Sequence, residues 1–317
     1  YIGSHAMLAL RDAGWPVAVI DDLSNGSRAL VPGDVPFFEG SIADRALVDD
    51  VLGREAIGAI MHFAGSIVVP ESVEQPLKYY ANNTLASHAL IDAAVAAGVK
   101  HFLFSSTAAV YGAPERVPID EEDSKLPINP YGASKLMTER MLADCSAAYG
   151  FNFGALRYFN VAGADPKGRA GQIGKGSTHL IKVAVEAAVG KRDRVSVFGT
   201  DYPTPDGTCI RDYIHVSDLA AAHVAALQRL IAQPNDNLVL NCGYGTGLSV
   251  LEVLDAVDRA NGTPVPREIA ARRPGDPPQL VAGNRRLTET LDWRPEFADI
   301  DTIVADALAW ERKLAGR

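Results

Sequence analysis

Three side chains carry the chemistry open to this chain. Tyr131 and Lys135 stand four residues apart in Asn129-Pro130-Tyr131-Gly132-Ala133-Ser134-Lys135, and Thr107 ends a run that begins at Phe102. On a helix that spacing puts both side chains on one face. An ammonium beside a phenol favours the tyrosinate, so the pattern predicts that the pKa of Tyr131 falls toward neutrality and that Tyr131 acts as a general base. Thr107 can offer its hydroxyl to the same reacting oxygen. The same spacing also suits a surface Tyr/Lys pair worth about 0.2–0.5 kcal/mol. Ser105-Ser106-Thr107, just upstream, favours chemistry, because sites in open parallel sheets lie beyond the carboxyl ends of strands.

The elements that must position these residues are legible around them. Asn129 can cap a helix, Pro130 suits its first turn, and Leu136, Met137, Met141 and Leu142 continue at helical spacing. Upstream, a helix through Ala6 to Leu10 is closed by Gly14, and a buried strand Val17 to Ile20 ends in Asp21-Asp22. A glycine opening a helix, with an acid about twenty residues later at a strand end, is the second half of a dinucleotide-binding unit. The first strand and the earlier glycines of its turn are expected ahead of Tyr1. Asp21 can take both ribose hydroxyls and would repel a 2′-phosphate, and no Arg stands immediately after it, which favours NAD over NADP. A solvated strand-end acid is the alternative.

Further strands are expected at Pro36 to Ile42, Ile57 to Phe63 and Phe153 to Asn160, with helices from Asp44 to Gly53 and from Pro76 to Ala97, the latter carrying Asn82 and Asn83. Ala64-Gly65 would let a cofactor approach the backbone, and His62 reads as a packed core histidine. This alternation predicts an α/β fold with a Rossmann-like, doubly wound parallel sheet over residues 1–162. A Gly- and Pro-rich stretch from Gly163 to Gly176 then leads into a smaller α/β substrate region, 163–317, with parts around 212–245 returning to the first domain. In that region a helix from Thr178 to Val189, a strand at Val195, a basic turn Arg272-Arg273-Pro274-Gly275-Asp276 and a final helix Ile300 to Leu314 are expected.

Composition narrows the partners. The chain has 317 residues, 47% of them hydrophobic, so it can bury a large core, and its formal charge of −9 argues against nucleic acid or an anionic membrane. Cys145, Cys209 and Cys242 are too far apart for a short-spaced zinc site, and an odd count suits reduced thiols in the cytoplasm. No apolar run reaches membrane-spanning length.

Six motifs together resemble the extended short-chain dehydrogenase/reductase family: Tyr1-Ile2-Gly3-Ser4-His5, His62-Phe63-Ala64-Gly65, Pro76-Leu77-Lys78-Tyr79-Tyr80, Tyr131-Gly132-Ala133-Ser134-Lys135, Leu156-Arg157-Tyr158-Phe159-Asn160 and Arg211-Asp212-Tyr213-Ile214-His215-Val216. The resemblance spans nearly the whole chain. It implies that Tyr131 is the base, that Lys135 lowers its pKa and holds the nicotinamide ribose, and that Thr107 bonds a sugar 4-hydroxyl. It implies an NAD site along Tyr1, Ile2 and Gly3, then Asp21, Asp22 and Asn25, then Ser41 and Ile42, with Phe63, Ala64, Gly65, Asn82, Ser105 and Tyr158 completing it. For a UDP-sugar it implies Asn160, Arg211 and Arg273 at the pyrophosphate, Phe198 at the uracil and Asp276 at a ribose hydroxyl, with His179, Leu180 and Leu280 in the same site. Two Arg from separate loops agree in kind with a diphosphate ligand. Without the family, Arg211 beside Asp212 reads equally as a surface ion pair.

The implied reaction interconverts UDP-glucose and UDP-galactose by transient oxidation at C4, with NAD retained through turnover. Ser41 stands where many relatives carry an adenine-binding Asp. Leu280 replaces a bulky Tyr of some relatives, which would admit UDP-GlcNAc. Ala108 and Ala109 follow Thr107 where dehydratases carry Asp-Glu, so dehydration is disfavoured. Epimerisation of UDP-pentoses or UDP-uronates and a non-catalytic NAD sensor are the other readings. The resemblance also implies that the helices over 76–97 and 131–148 pair two copies into a homodimer, whereas helical periodicity alone fits burial within one chain equally well.

Overall fold

The computed structural model describes residues 1–174, 176–273 and 275–316, so Lys175 of the Gly-rich stretch and Pro274 of the basic turn lie outside the described residues. The central sheet is parallel, with strands β3 (Ala59–His62), β4 (His101–Thr107), β5 (Asn152–Tyr158) and β9 (Leu238–Cys242) in that order. Two earlier strands, β1 (Val19–Asp21) and β2 (Phe37–Glu39), pair in parallel only with each other. β1 starts two residues later than predicted and is half-buried rather than buried.

Helices cover these sheets as α1 (Ile2–Asp12), α2 (Arg45–Arg54), α3 (Val69–Glu74), α4 (Pro76–Tyr79), α5 (Ala86–Ala96) and α6 (Pro130–Tyr149). The long helix predicted over 76–97 exists as α4 and α5 joined through a π-helical turn, Tyr80–Leu85. Such turns widen the helix by one residue and re-aim its side chains. The start of α6 follows its sequence signal. Asn129 caps it by accepting the Gly132 amide at 2.8 Å, Pro130 opens it, and Gly150 ends it in the left-handed region at φ +70°.

The second region holds β6 (Asn160–Ala162), α7 (Leu180–Ala188), β7 (Val195–Phe198), β8 (Ile210–His215), α8 (Val216–Ala232), β10 (Gly247–Ser249), α9 (Val250–Asn261), β11 (Arg267–Ala270), β12 (Gln279–Leu280), α10 (Arg285–Thr290) and α11 (Ile300–Leu314). β8 is its hub, flanked by β10 and β12 and paired also with β6. β9 joins the first domain's sheet beside β5, and α8 packs on α1, β4 and β5. The chain thus crosses between regions more than once. β6, β10, β11, β12 and α10 were invisible in the sequence because each is too short to show a period.

The apolar core falls into several clusters, one of which joins Leu103 and Leu156 to Leu227, Leu240 and Trp293 across both parts of the chain. Phe102, Phe104, Leu142 and Phe153 pack beneath α5 and α6, whereas Val253, Leu254, Ile303 and Val304 pack α9 against α11. His62 is a buried core residue, as its apolar surroundings predicted, with its ring 2.8 Å from the Ser87 hydroxyl. The three cysteines are free. Among the described residues no helix is long and apolar enough to cross a membrane.

Candidate active site

One cavity of about 1960 Å³ opens over the carboxyl ends of β1, β3, β4 and β5 and extends to β7 and β8. Every residue predicted for the site lines it except Leu280. Leu280 is half-buried and packs against the small cluster that holds Val110 and Ile119.

At the centre, Thr107 on β4 hydrogen-bonds the Tyr131 side chain, and Lys135 one turn along α6 is buried beside it. The predicted fall in the Tyr131 pKa is not found. Burial raises it, the Thr107 bond only partly opposes this, and Lys135 is engaged elsewhere. Lys135 Nζ donates to the Ser105 carbonyl at 3.0 Å and lies 4.9 Å from the centre of the Phe104 ring. Burial lowers the Lys135 pKa to about 8, which leaves it mainly charged at neutral pH. Tyr158 and Ser105 share a hydrogen bond on the same wall.

The predicted cofactor end shows features that fit a dinucleotide. Asp21 sits at the end of β1, where its carboxylate takes the Leu23 amide at 2.8 Å and leaves acceptor capacity for a ribose. Asp22 closes its own turn by accepting the Ser24 amide at 2.9 Å. Ser41 takes the Ala43 amide at 3.2 Å and so faces its own turn too. A side chain on Gly65 would come within 3.5 Å of Lys135 Nζ and 3.0 Å of Asn83 Oδ1, so glycine there keeps the backbone open beside the buried cation.

At the other end Arg273 lies 3.9 Å from the centre of the Phe198 ring, and Arg211 Nη2 is 3.7 Å from Asp276. Two cations and an aromatic face thus line one stretch of cavity, a combination suited to a nucleoside diphosphate. The Arg211–Asp212 ion pair does not form. Successive strand residues point to opposite faces, and Asp212 is buried, accepting the amides of Tyr244 and Gly245 at 2.9 Å and Ala282 at 3.1 Å.

Sequence reasoning missed two supports of this site. Asn83, in the π-helical turn, accepts the Ser66 amide at 2.7 Å and donates to the Ser66 carbonyl at 3.0 Å and the Ser134 hydroxyl at 3.1 Å. Tyr79 donates to the Val68 carbonyl at 2.6 Å, accepts the Val68 amide at 2.9 Å and packs edge-on against Tyr131. Helical periodicity hides both, because neither a π turn nor a loop contact has a sequence period.

The parallel sheet, the acid after β1 and the Thr107, Tyr131 and Lys135 set define a dinucleotide-binding enzyme of the Rossmann class. Within it, the chain belongs to the NAD dependent epimerase/dehydratase family, whose match covers residues 1–243. It is 58% identical to the UDP-glucose 4-epimerase of Azospirillum brasilense over 314 residues, 99% of this chain and 90% of that one. Among solved structures it is similar to the UDP-glucose 4-epimerase of Brucella ovis in complex with NAD, at 44% identity, a TM-score of 0.94 and 98% and 94% coverage of the two chains. It is also similar to the UDP-glucose 4-epimerase of Bifidobacterium longum in complex with NAD+ and UDP, at 38% identity, a TM-score of 0.92 and 99% and 96% coverage.

Proposed function

We propose that this protein is an NAD-dependent isomerase that interconverts UDP-glucose and UDP-galactose at C4. The observation that carries this reading is the single cavity in which Thr107, Tyr131 and Lys135 stand between an acid suited to a ribose and two arginines suited to a diphosphate. The similarity to UDP-glucose 4-epimerases along the full chain supports it.

Tyr131 takes the proton of the 4-hydroxyl, and Thr107 holds that hydroxyl in line. Lys135, charged at neutral pH, stabilises negative charge nearby. NAD would be held by Asp21, Ala64-Gly65, Ser105, Tyr158 and Lys135, and would supply hydride exchange at C4 of the sugar. Arg211 and Arg273 keep the diphosphate anchored while the sugar turns. Ala108 and Ala109 carry no transferable side-chain proton, which disfavours elimination.

We further propose a cytoplasmic homodimer. Leu77 is 80% exposed, Leu85 66% and Met137 46%, along helical segments that pack together on one side of the molecule, and a second copy would cover them. The deciding experiment mixes the protein with UDP-galactose, with and without added NAD, and follows UDP-glucose. Turnover without added NAD is expected; no turnover in either arm would overturn the reading.

A further inference from the structure

Arg157 belongs to a motif that the sequence singled out, and nothing in the proposed reaction uses it. It sits in β5, inside an otherwise apolar run, and pairs with Glu139 on α6. Both side chains are buried, at 4% and 7% exposure. The pair is a fork: Arg157 Nε donates to Glu139 Oε1 at 2.9 Å and Nη2 to Oε2 at 2.6 Å. The Ser106 hydroxyl donates to the same Oε1. On its other side Arg157 Nη1 donates to the Tyr111 hydroxyl at 2.9 Å, and Tyr111 donates to Asn241 Oδ1 at 2.6 Å. Asn241 in turn donates to the Ile119 carbonyl at 2.8 Å.

A buried ion pair is poor evidence for stability, because desolvation offsets its attraction and apolar replacements of similar volume are often tolerated. Its geometric effect is another matter. Apolar contacts between a helix and a sheet are non-directional and leave sliding and rotation soft, whereas a planar fork defines both. Glu139 lies one turn beyond Lys135 on α6, and Ser106 lies between Ser105, which takes the Lys135 ammonium, and Thr107, which meets Tyr131.

We propose that Glu139 and Arg157 are positioning residues that set the register of α6 on β4 and β5, so that Tyr131 meets Thr107 and Lys135 meets the Ser105 carbonyl. The Tyr111 and Asn241 branch ties the turn after Thr107 to the same point. This rests on the reading of Thr107, Tyr131 and Lys135 as the reacting set.

The test removes both charges at once, as Glu139→Met with Arg157→Met, and separately keeps the charge without the fork, as Arg157→Lys. Circular dichroism and UDP binding report folding and the substrate site. The expected double variant folds and binds UDP as the parent does, with KM for UDP-galactose held within about threefold and kcat reduced about 100-fold, the scale of an ångström-sized misplacement. The titration of Tyr131, read as the ultraviolet difference from the Tyr131→Phe background, moves to higher pH. A folded double variant with parental kcat and an unmoved Tyr131 titration would overturn the proposal. Should the double variant not fold, Arg157→Lys decides: lower kcat at constant KM supports the positioning role, and unchanged kcat with an unmoved titration overturns it. Should the parent itself fail to turn over UDP-galactose, the functional reading falls, while the Tyr131 titration still decides the register claim without any turnover.

Discussion

Tyr131 is the residue on which the chemistry turns, and its environment works against it as much as for it. Burial raises its pKa and only the Thr107 hydroxyl pulls the other way, so in this geometry tyrosinate needs the ligands of the cavity to form. Replacing the phenol removes the proton acceptor while leaving the arginine end of the cavity untouched. For Tyr131→Phe we expect a loss of about 10²–10⁴ in kcat, with the dissociation constant of UDP unchanged by calorimetry. A variant retaining parental kcat would transfer the role to another group. The sequence identified Tyr131, Lys135 and Thr107 by type and spacing, but it could not foresee that Lys135 turns its ammonium to the Ser105 carbonyl. That contact depends on how deep the helix sits on the sheet.

Helix α6 presents that set, and its first turn is held by a single side-chain cap, the Asn129 carboxamide on the Gly132 amide. Asn129→Ala is expected to lower unfolding free energy by about 1 kcal/mol. Because Tyr131 lies two residues beyond the cap, kcat should fall further than the stability loss explains; a urea titration alongside kinetics separates the two. The helical side facing solvent makes a different prediction. With Leu77 and Leu85 as exposed as they are, Leu77→Glu with Leu85→Glu should yield monomers in sedimentation velocity if two copies meet there, at little cost to the monomer's stability. Parental dimers in that variant would move the interface elsewhere. The cap behind the first prediction was legible from sequence; the exposure of Leu77 and Leu85 was not, because helical periodicity fits burial within one chain equally well. The π turn that carries Asn83 was not, because a one-residue widening leaves the apolar period on either side intact.

The molecule as a whole buries groups that prefer to titrate. Burial pushes the His62 pKa from 6.5 to about 3 and those of His5 and His223 from 6.5 to about 4. Below pH 6.5 the unfolded chain binds those protons and the folded one does not, so their stabilising contribution is present above that pH and is lost as pH falls. Asp212 acts oppositely: burial raises it from 3.8 to about 6, so between those values the folded state holds the extra proton. Three protons favour unfolding and one favours folding, leaving a net loss of about 2.7 kcal/mol per pH unit between pH 6 and 4. The urea midpoint should therefore drop from pH 7 to pH 5, and an equal or higher midpoint at pH 5 would refute this balance.

By itself the sequence determined the alternation of strands and helices, the cap of α6, the acid after β1 and the spacing of Tyr131 and Lys135, because each follows from neighbours a few residues apart. Tertiary structure alone decided the rest. It paired Arg157 with Glu139, turned Asp212 away from Arg211 to three backbone amides, and left Leu280 outside the cavity. A charge inside an apolar strand announces that it needs a partner, but only the packing of a helix some eighteen residues away, or of loops far along the chain, selects which one, since burial energy depends on the surroundings assembled in space rather than on the order of residues along the chain.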